Sequence, residues 1–282
     1  MLTVHKVLRL AAILAVVPAS ALAGPEIVVL PLKLTGHFPI VMARVDGMYV
    51  PLIFGTGDSP AVVLQQSVLD HIKAAPAPPD AASMGLDVKG NLLHFRKFRV
   101  SRVQLGDAVF TDVIAQLDVH APNNQLPDVG QKGLLGTGLL KPYKVVLDYR
   151  NLTMTLVPAG ANDTQTELCR GTSVPFAVTP SPTEPFTKAD TDVGQLTLAW
   201  DTASGWSFVS QKIIQRGLVP SSNEDVTTKR LVLGGTDFGP WQFKWMEMSL
   251  PPFFDGSIGY DFFLRHVVCI DFPGKRVLVR PE

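Results

Sequence analysis

Two short segments of this 282-residue chain have the make-up of turns that could hold a carboxylate for acid–base chemistry. Trp200-Asp201-Thr202-Ala203-Ser204 ends the apolar run Leu196-Thr197-Leu198-Ala199-Trp200 and leads into Ser207-Phe208-Val209-Ser210. Phe54-Gly55-Thr56-Gly57-Asp58-Ser59 ends Val50-Pro51-Leu52-Ile53-Phe54 and leads into Ala61-Val62-Val63-Leu64. Gly, Ser and Asp supply turn geometry, and the β-branched and aromatic flanks supply strands, so both segments read as strand, tight turn, strand. An acidic side chain placed between two buried strands is where a carboxylate can be held as a general acid or base.

A second element is also present twice. Gly133-Leu134-Leu135-Gly136 runs on to Val145-Val146-Leu147-Asp148-Tyr149, and Gly256-Ser257-Ile258-Gly259 runs on to Val268-Cys269-Ile270-Asp271-Phe272. In each copy the Asp stands 12 residues after the second Gly. Two different elements, repeated in the same order at matched spacing, point to a duplicated architecture. Asp148 and Asp271 precede Arg150-Asn151 and Pro273-Gly274 and read as turn residues. Other chemistries find no footing. The glycines at 133–138 lack the Gly-Lys-Ser/Thr ending of a phosphate loop, no Gly-x-Ser-x-Gly elbow occurs, and the six His have no metal-site spacing. His266, beside the last repeat, is expected to face solvent.

The two turns resemble the Asp-Thr-Gly loops of the aspartic peptidases, of the retropepsin-like and pepsin-like kind with two lobes in one chain. The resemblance implies a mainly β fold of two pseudo-twofold-related lobes with a cleft between them. In that family one Asp from each lobe shares a proton, because two adjacent carboxylates cannot both ionise. Carried over residue by residue, the catalytic Asp falls on Asp201, and the matching first-lobe position is Gly55, which has no carboxylate. Thr56 and Thr202 fall on the positions that lock the two loops together, Gly57 is kept, and Ala203 stands where the family has Gly. Asp58 lies three residues beyond Gly55 and reads as a turn residue before it reads as a substitute carboxylate. Asp87-Val88-Lys89-Gly90-Asn91 reads as a hairpin tip, the family's flap. No cofactor and no metal are implied.

The elements that would position these loops are short strands. Residues 1–23 read as an export signal: His5, Lys6 and Arg9, an apolar stretch at 10–17, then Ala21-Leu22-Ala23. That stretch is shorter than the ~20 residues a membrane span needs, and no later segment could span. The protein is therefore expected in the periplasm or secreted, beginning near Gly24. A first lobe over 24–157, a linker over 158–172 and a second lobe over 173–282 are expected. The 23 Pro and 23 Gly suit a loop-rich β protein. Helical turns are expected at 67–73 and 211–217, a Pro- and Thr-rich loop at 179–193, and a second-lobe hairpin around 231–241. The net charge of zero, with basic residues scattered, argues against nucleic acid. Cys169 and Cys269 either form one disulfide or remain separate thiols.

Three functions are compatible with these residues. The first is an exported aspartic-peptidase-like protein with a degenerate dyad that holds a peptide or protein in its cleft. The second is an active peptidase using Asp201 with Asp58, a water or a partner chain. The third is a structural envelope protein that reuses the fold, since fold alone does not fix function.

Overall fold

The computed structural model describes residues 26–57, 60–77, 83–86, 92–118, 130–161, 167–179, 184–217, 225–247 and 253–280. The expected export signal, Asp58 and the hairpin tip at 87–91 lie outside the described residues.

The molecule is mainly β. The first half forms an eight-stranded sheet and so does the second, and a six-stranded sheet joins them. In the first half the strand Met48–Phe54 runs to Gly55, the chain turns, and Val62–Leu64 returns. The later strand Gly133–Leu135 then inserts between these two, parallel to the first and antiparallel to the second. The second half repeats this path. Gly194–Trp200 runs to Asp201, Phe208–Ser210 returns, and Gly256–Ile258 inserts between them in the same senses. The repeated glycines have a steric origin here. A Cβ on Gly133 would lie 2.0 Å from the Val63 carbonyl oxygen, and one on Gly256 would lie 2.1 Å from that of Phe208. A side chain at either position would force the inserted strand out of the sheet.

The joining sheet takes three strands from each half, in the order Val28–Pro31, Thr153–Pro158, Tyr143–Asp148, Val267–Asp271, Arg276–Arg280, Thr172–Pro175. The halves meet where Val145 faces Ile270, Val146 faces Cys269 and Leu147 faces Val268. Matching Asp148 to Asp271 makes Val145 the counterpart of Val268 and Leu147 that of Ile270. The outer two pairs are then each other's images, and the pseudo-twofold passes through the Val146–Cys269 pair. Cys269 is bonded to Cys169, with S–S 2.04 Å and Cα–Cα 5.2 Å, on a face it shares with Val146, Val157 and Leu278. Asp148 accepts the backbone and side-chain N–H groups of Asn151, and Asp271 accepts Gly274 N and Arg276 Nε. Both act as turn residues.

Among the described residues helix is confined to short stretches, Gln66–His71, Gln211–Gln215 and Tyr260–Phe263, with 3-10 turns at Thr137–Leu139 and Glu167–Cys169. Among the described residues no helix is long and apolar enough to cross a membrane. The loop expected over 179–193 is corrected in its second part. Phe186–Thr191 is a strand, antiparallel to Gly194–Trp200, with alternating burial. Its period-2 pattern starts only after Pro185, the last of three nearby prolines, which cannot donate to a ladder. Leu231–Leu233 pairs with Thr236–Asp237 as a short hairpin on that same strand.

Candidate functional site

The two loops sit at the ends of matching strands and are anchored in the same way. Gly55 N donates to Leu135 O at 3.0 Å, and Asp201 N donates to Ile258 O at 2.9 Å. Each donor is thereby tied to the inserted strand of its own half. The loops are then clasped to each other. Thr56 N donates to Thr202 Oγ1 at 3.1 Å, and Thr202 N donates to Thr56 Oγ1 at 3.0 Å. Thr202 Oγ1–H reaches Phe54 O at 2.6 Å, and Thr56 Oγ1–H reaches Trp200 O. Both threonines are fully buried. Every hydrogen bond in this exchange joins one half to the other, so the two loops form one rigid unit.

Asp201 lies on this unit, partly buried. Its Oδ1 accepts Ala203 N at 2.9 Å. Ala203 takes no positive φ, so the methyl group that replaces the family's Gly is accommodated without strain. The first loop comes close to the carboxylate: a Cβ built on Gly57 would lie 3.3 Å from Asp201 Cγ and 3.4 Å from each of its oxygens. Gly55 is buried and also has no positive φ. Burial pushes the Asp201 carboxyl above its ordinary value, opposed by the backbone N–H groups of Ala203 and Ser204. A single carboxyl held in this way keeps its proton to higher pH than an exposed one, but it has no carboxylate at position 55 with which to share it.

Sequence reasoning missed Tyr149. It is 2% exposed, stacks on Phe263 with ring centroids 5.5 Å apart, and its hydroxyl has no hydrogen-bond partner. Burial pushes that hydroxyl well above the usual tyrosine range, and the charges of Asp201 and Tyr260 add to the effect. Its place directly after Asp148 in the second repeated element was visible, but no pattern tied it to Asp201. Supports beneath the second loop were also missed. Trp200, fully buried, donates Nε1–H to Thr187 Oγ1 at 2.9 Å, on the strand hidden behind the prolines. Ser207 N and Oγ both donate to Asp261 Oδ1 at 2.7 Å, and Tyr260 N donates to Ser204 O at 2.9 Å.

A cavity of about 830 Å³ opens from Gly57 and is bordered by Phe95, Phe110, Ile114 and Leu139, with Lys97 and Glu184 among its polar walls. All of its lining comes from the first half except Glu184, which the second half contributes at its edge. Among the described residues no three His, Cys, Asp or Glu side chains are grouped as metal ligands. Asp58 lies outside the described residues. His266 departs from the exposed position expected of it. It is half-buried against Phe262, with centroids 4.4 Å apart, and burial, then Arg265 and Arg150, lower its pKa to about 4.

No protein-family model matches the sequence. No curated protein matches it either. Solved structures do match the fold. An aspartic proteinase from Irpex lacteus superposes with a TM-score of 0.61 over 91% of this chain and 97% of its own, at 11% identity. The basic 7S globulin from soybean does so with a TM-score of 0.57 over 90% of this chain and 95% of its own, also at 11% identity. The chain therefore has the two-lobed, pepsin-like fold of the aspartic proteinases.

Proposed function

We propose that this protein is an exported aspartic-peptidase-like binding protein. It holds a peptide or an extended protein segment in the hollow beside Asp201 and leaves the chain uncut. The observation that carries the reading is the pairing of an intact threonine clasp with a glycine at position 55. The scaffold that would hold two carboxylates in register is complete, and one of the two carboxylates is missing. Peptide hydrolysis on such a scaffold needs one group to take a proton from water while the other gives one to the carbonyl. The hollow at Gly57 supplies apolar walls and a few charged groups, which suits side-chain recognition. The fold does not favour catalysis by itself, since it is shared by a proteinase and by a globulin.

The test is selection of a random peptide library against the wild type and against Ile114→Trp, which fills the hollow. Peptides enriched on the wild type and lost on the variant support the reading. No enrichment, or equal enrichment on both, rejects it. A second reading, hydrolysis by Asp201 as the lone carboxyl, is favoured by its raised pKa. Cleavage of the same library between roughly pH 3 and pH 6, abolished in Asp201→Asn, would put that reading first.

A further inference from the structure

A second, smaller crevice of about 160 Å³ is bordered by Asp148, Tyr149, Arg150, Phe263, Arg265, His266 and Arg280. Buried polar groups in folded proteins nearly always have a hydrogen-bond partner. Here three residues of one small crevice each carry a buried atom without one: Tyr149 Oη, His266 Nδ1 and Arg280 Nε. Two of these atoms are donors, and the third becomes one if the ring is protonated or takes the other tautomer. The surroundings are cationic. Arg150 is braced by bonds from Nε to Leu264 O at 3.4 Å and from Nη2 to Arg265 O at 2.8 Å. Arg265 lies over the Trp241 ring at 5.0 Å, and Arg280 Nη2 reaches Leu168 O at 3.2 Å. The one carboxylate among the lining residues, Asp148, already accepts the backbone and side-chain N–H groups of Asn151.

We propose that this crevice is a binding site for a small tetrahedral oxyanion of the phosphate or sulfate type. Three guanidinium-bearing residues around one hollow, with residues that carry unpartnered polar atoms among its walls, match the needs of such an anion, which accepts several charge-assisted hydrogen bonds at once. The volume takes one such ion together with a water or two, at ~30 Å³ per water. A carboxylate has fewer acceptor directions and suits a ring of separate donors less well. The site is distinct from the hollow at Gly57 and does not depend on whether Asp201 is catalytic.

The probe is sodium phosphate, then sulfate, then acetate, each titrated at constant ionic strength against chloride while the His266 ring is followed by NMR. Phosphate or sulfate should shift the His266 signal saturably. It should also raise the ring's pKa from about 4, because a nearby negative charge favours the imidazolium. Arg280→Leu should weaken binding by about tenfold or more, the range expected for loss of a charged hydrogen-bond donor. Because Arg280→Leu could disturb folding, Tyr149→Phe is the second variant. It removes only an unpartnered buried hydroxyl, so its melting temperature without the anion should equal or exceed that of the wild type. Its affinity for the anion should fall a few-fold. A His266 shift that chloride reproduces, saturation by acetate alone, or unchanged affinity in both variants would overturn the site.

Discussion

Gly55→Asp would restore the carboxylate that the clasp is built to position, and its effect can be worked from the geometry. The two loops are joined by reciprocal Thr56 and Thr202 bonds at 3.1 and 3.0 Å, and the Gly57 end of the first loop abuts the Asp201 carboxylate. Gly55 does not use a positive φ, so an Asp there meets no left-handed backbone penalty. Two carboxylates ~4 Å apart at an effective dielectric of about 20 repel by about 4 kcal/mol. Converted at ~1.4 kcal/mol per pH unit, this moves the second ionisation about three pH units upward, in addition to the elevation that burial already gives Asp201. The sign for stability follows. A carboxyl whose folded pKa lies above its unfolded value binds a proton more readily in the native state. Its stabilising contribution is complete below the unfolded value of ~3.9 and is lost as pH rises through the folded pKa. The variant should therefore match the wild type in strong acid and fall below it by a few kcal/mol at neutral pH. A ¹³C-carboxyl titration of both proteins is the assay. A folded Gly55→Asp protein whose Asp201 titrates as in the wild type would show that positions 55 and 201 do not face each other, and the single-carboxylate reading would fall with it.

Three further outcomes are expected. Asp201→Asn keeps the acceptor for Ala203 N and removes a carboxyl that burial disfavours, so it should melt above the wild type at pH 7 and lose that advantage as pH falls through the raised folded pKa, with none left below ~3.9; a variant less stable at every pH contradicts this. Thr202→Val leaves Phe54 O and Thr56 N buried without partners and should cost about 2 to 6 kcal/mol, while Thr202→Ser should restore most of it, as read by urea unfolding. Reduction of the Cys169–Cys269 bond opens a loop of sequence separation 100 and should lower stability by up to about 4 to 5 kcal/mol, checked by melting with and without reductant after alkylation.

Much of this architecture was legible because a duplicated fold writes its constraints twice. Gly133 and Gly256 are fixed by backbone carbonyls 2.0 and 2.1 Å from where a Cβ would sit, so their recurrence at equal spacing reported a real contact. Thr56 and Thr202 were legible for the same reason, since each completes the other's hydrogen bonds. The strand Phe186–Thr191 was hidden by three prolines just before it, although its own alternation is regular. Tyr149 and His266 were hidden for a different reason. Tyr149 is packed by Tyr260–Phe263, more than a hundred residues away, and His266 is closed in by Phe238 and Trp241 as well as by its neighbour Phe262, contacts that no local pattern encodes.

The asymmetry between the two loops also bears on what the cleft does. The clasp is symmetric, but the groups it presents are not: Gly55 and Gly57 on one side, Asp201 and Ala203 on the other. Gly57 is exposed while its loop is anchored, and Asp201 lies within van der Waals reach of where its side chain would be. Any side chain at 57 would press on the carboxylate, so that position is constrained even though position 55 has no carboxylate. A scaffold kept only for stability would need the threonines and the inserted strands, but not open space over Asp201. The bare glycine facing a partly buried carboxyl, at the edge of the first-half hollow, is the arrangement expected if a backbone or polar group of a bound chain approaches Asp201. Gly57→Ala tests this. If the space serves a ligand, peptide binding should be lost while the melting temperature falls only by the small strain of a methyl group 3.3 Å from Asp201 Cγ. If the glycine serves packing alone, both should change together.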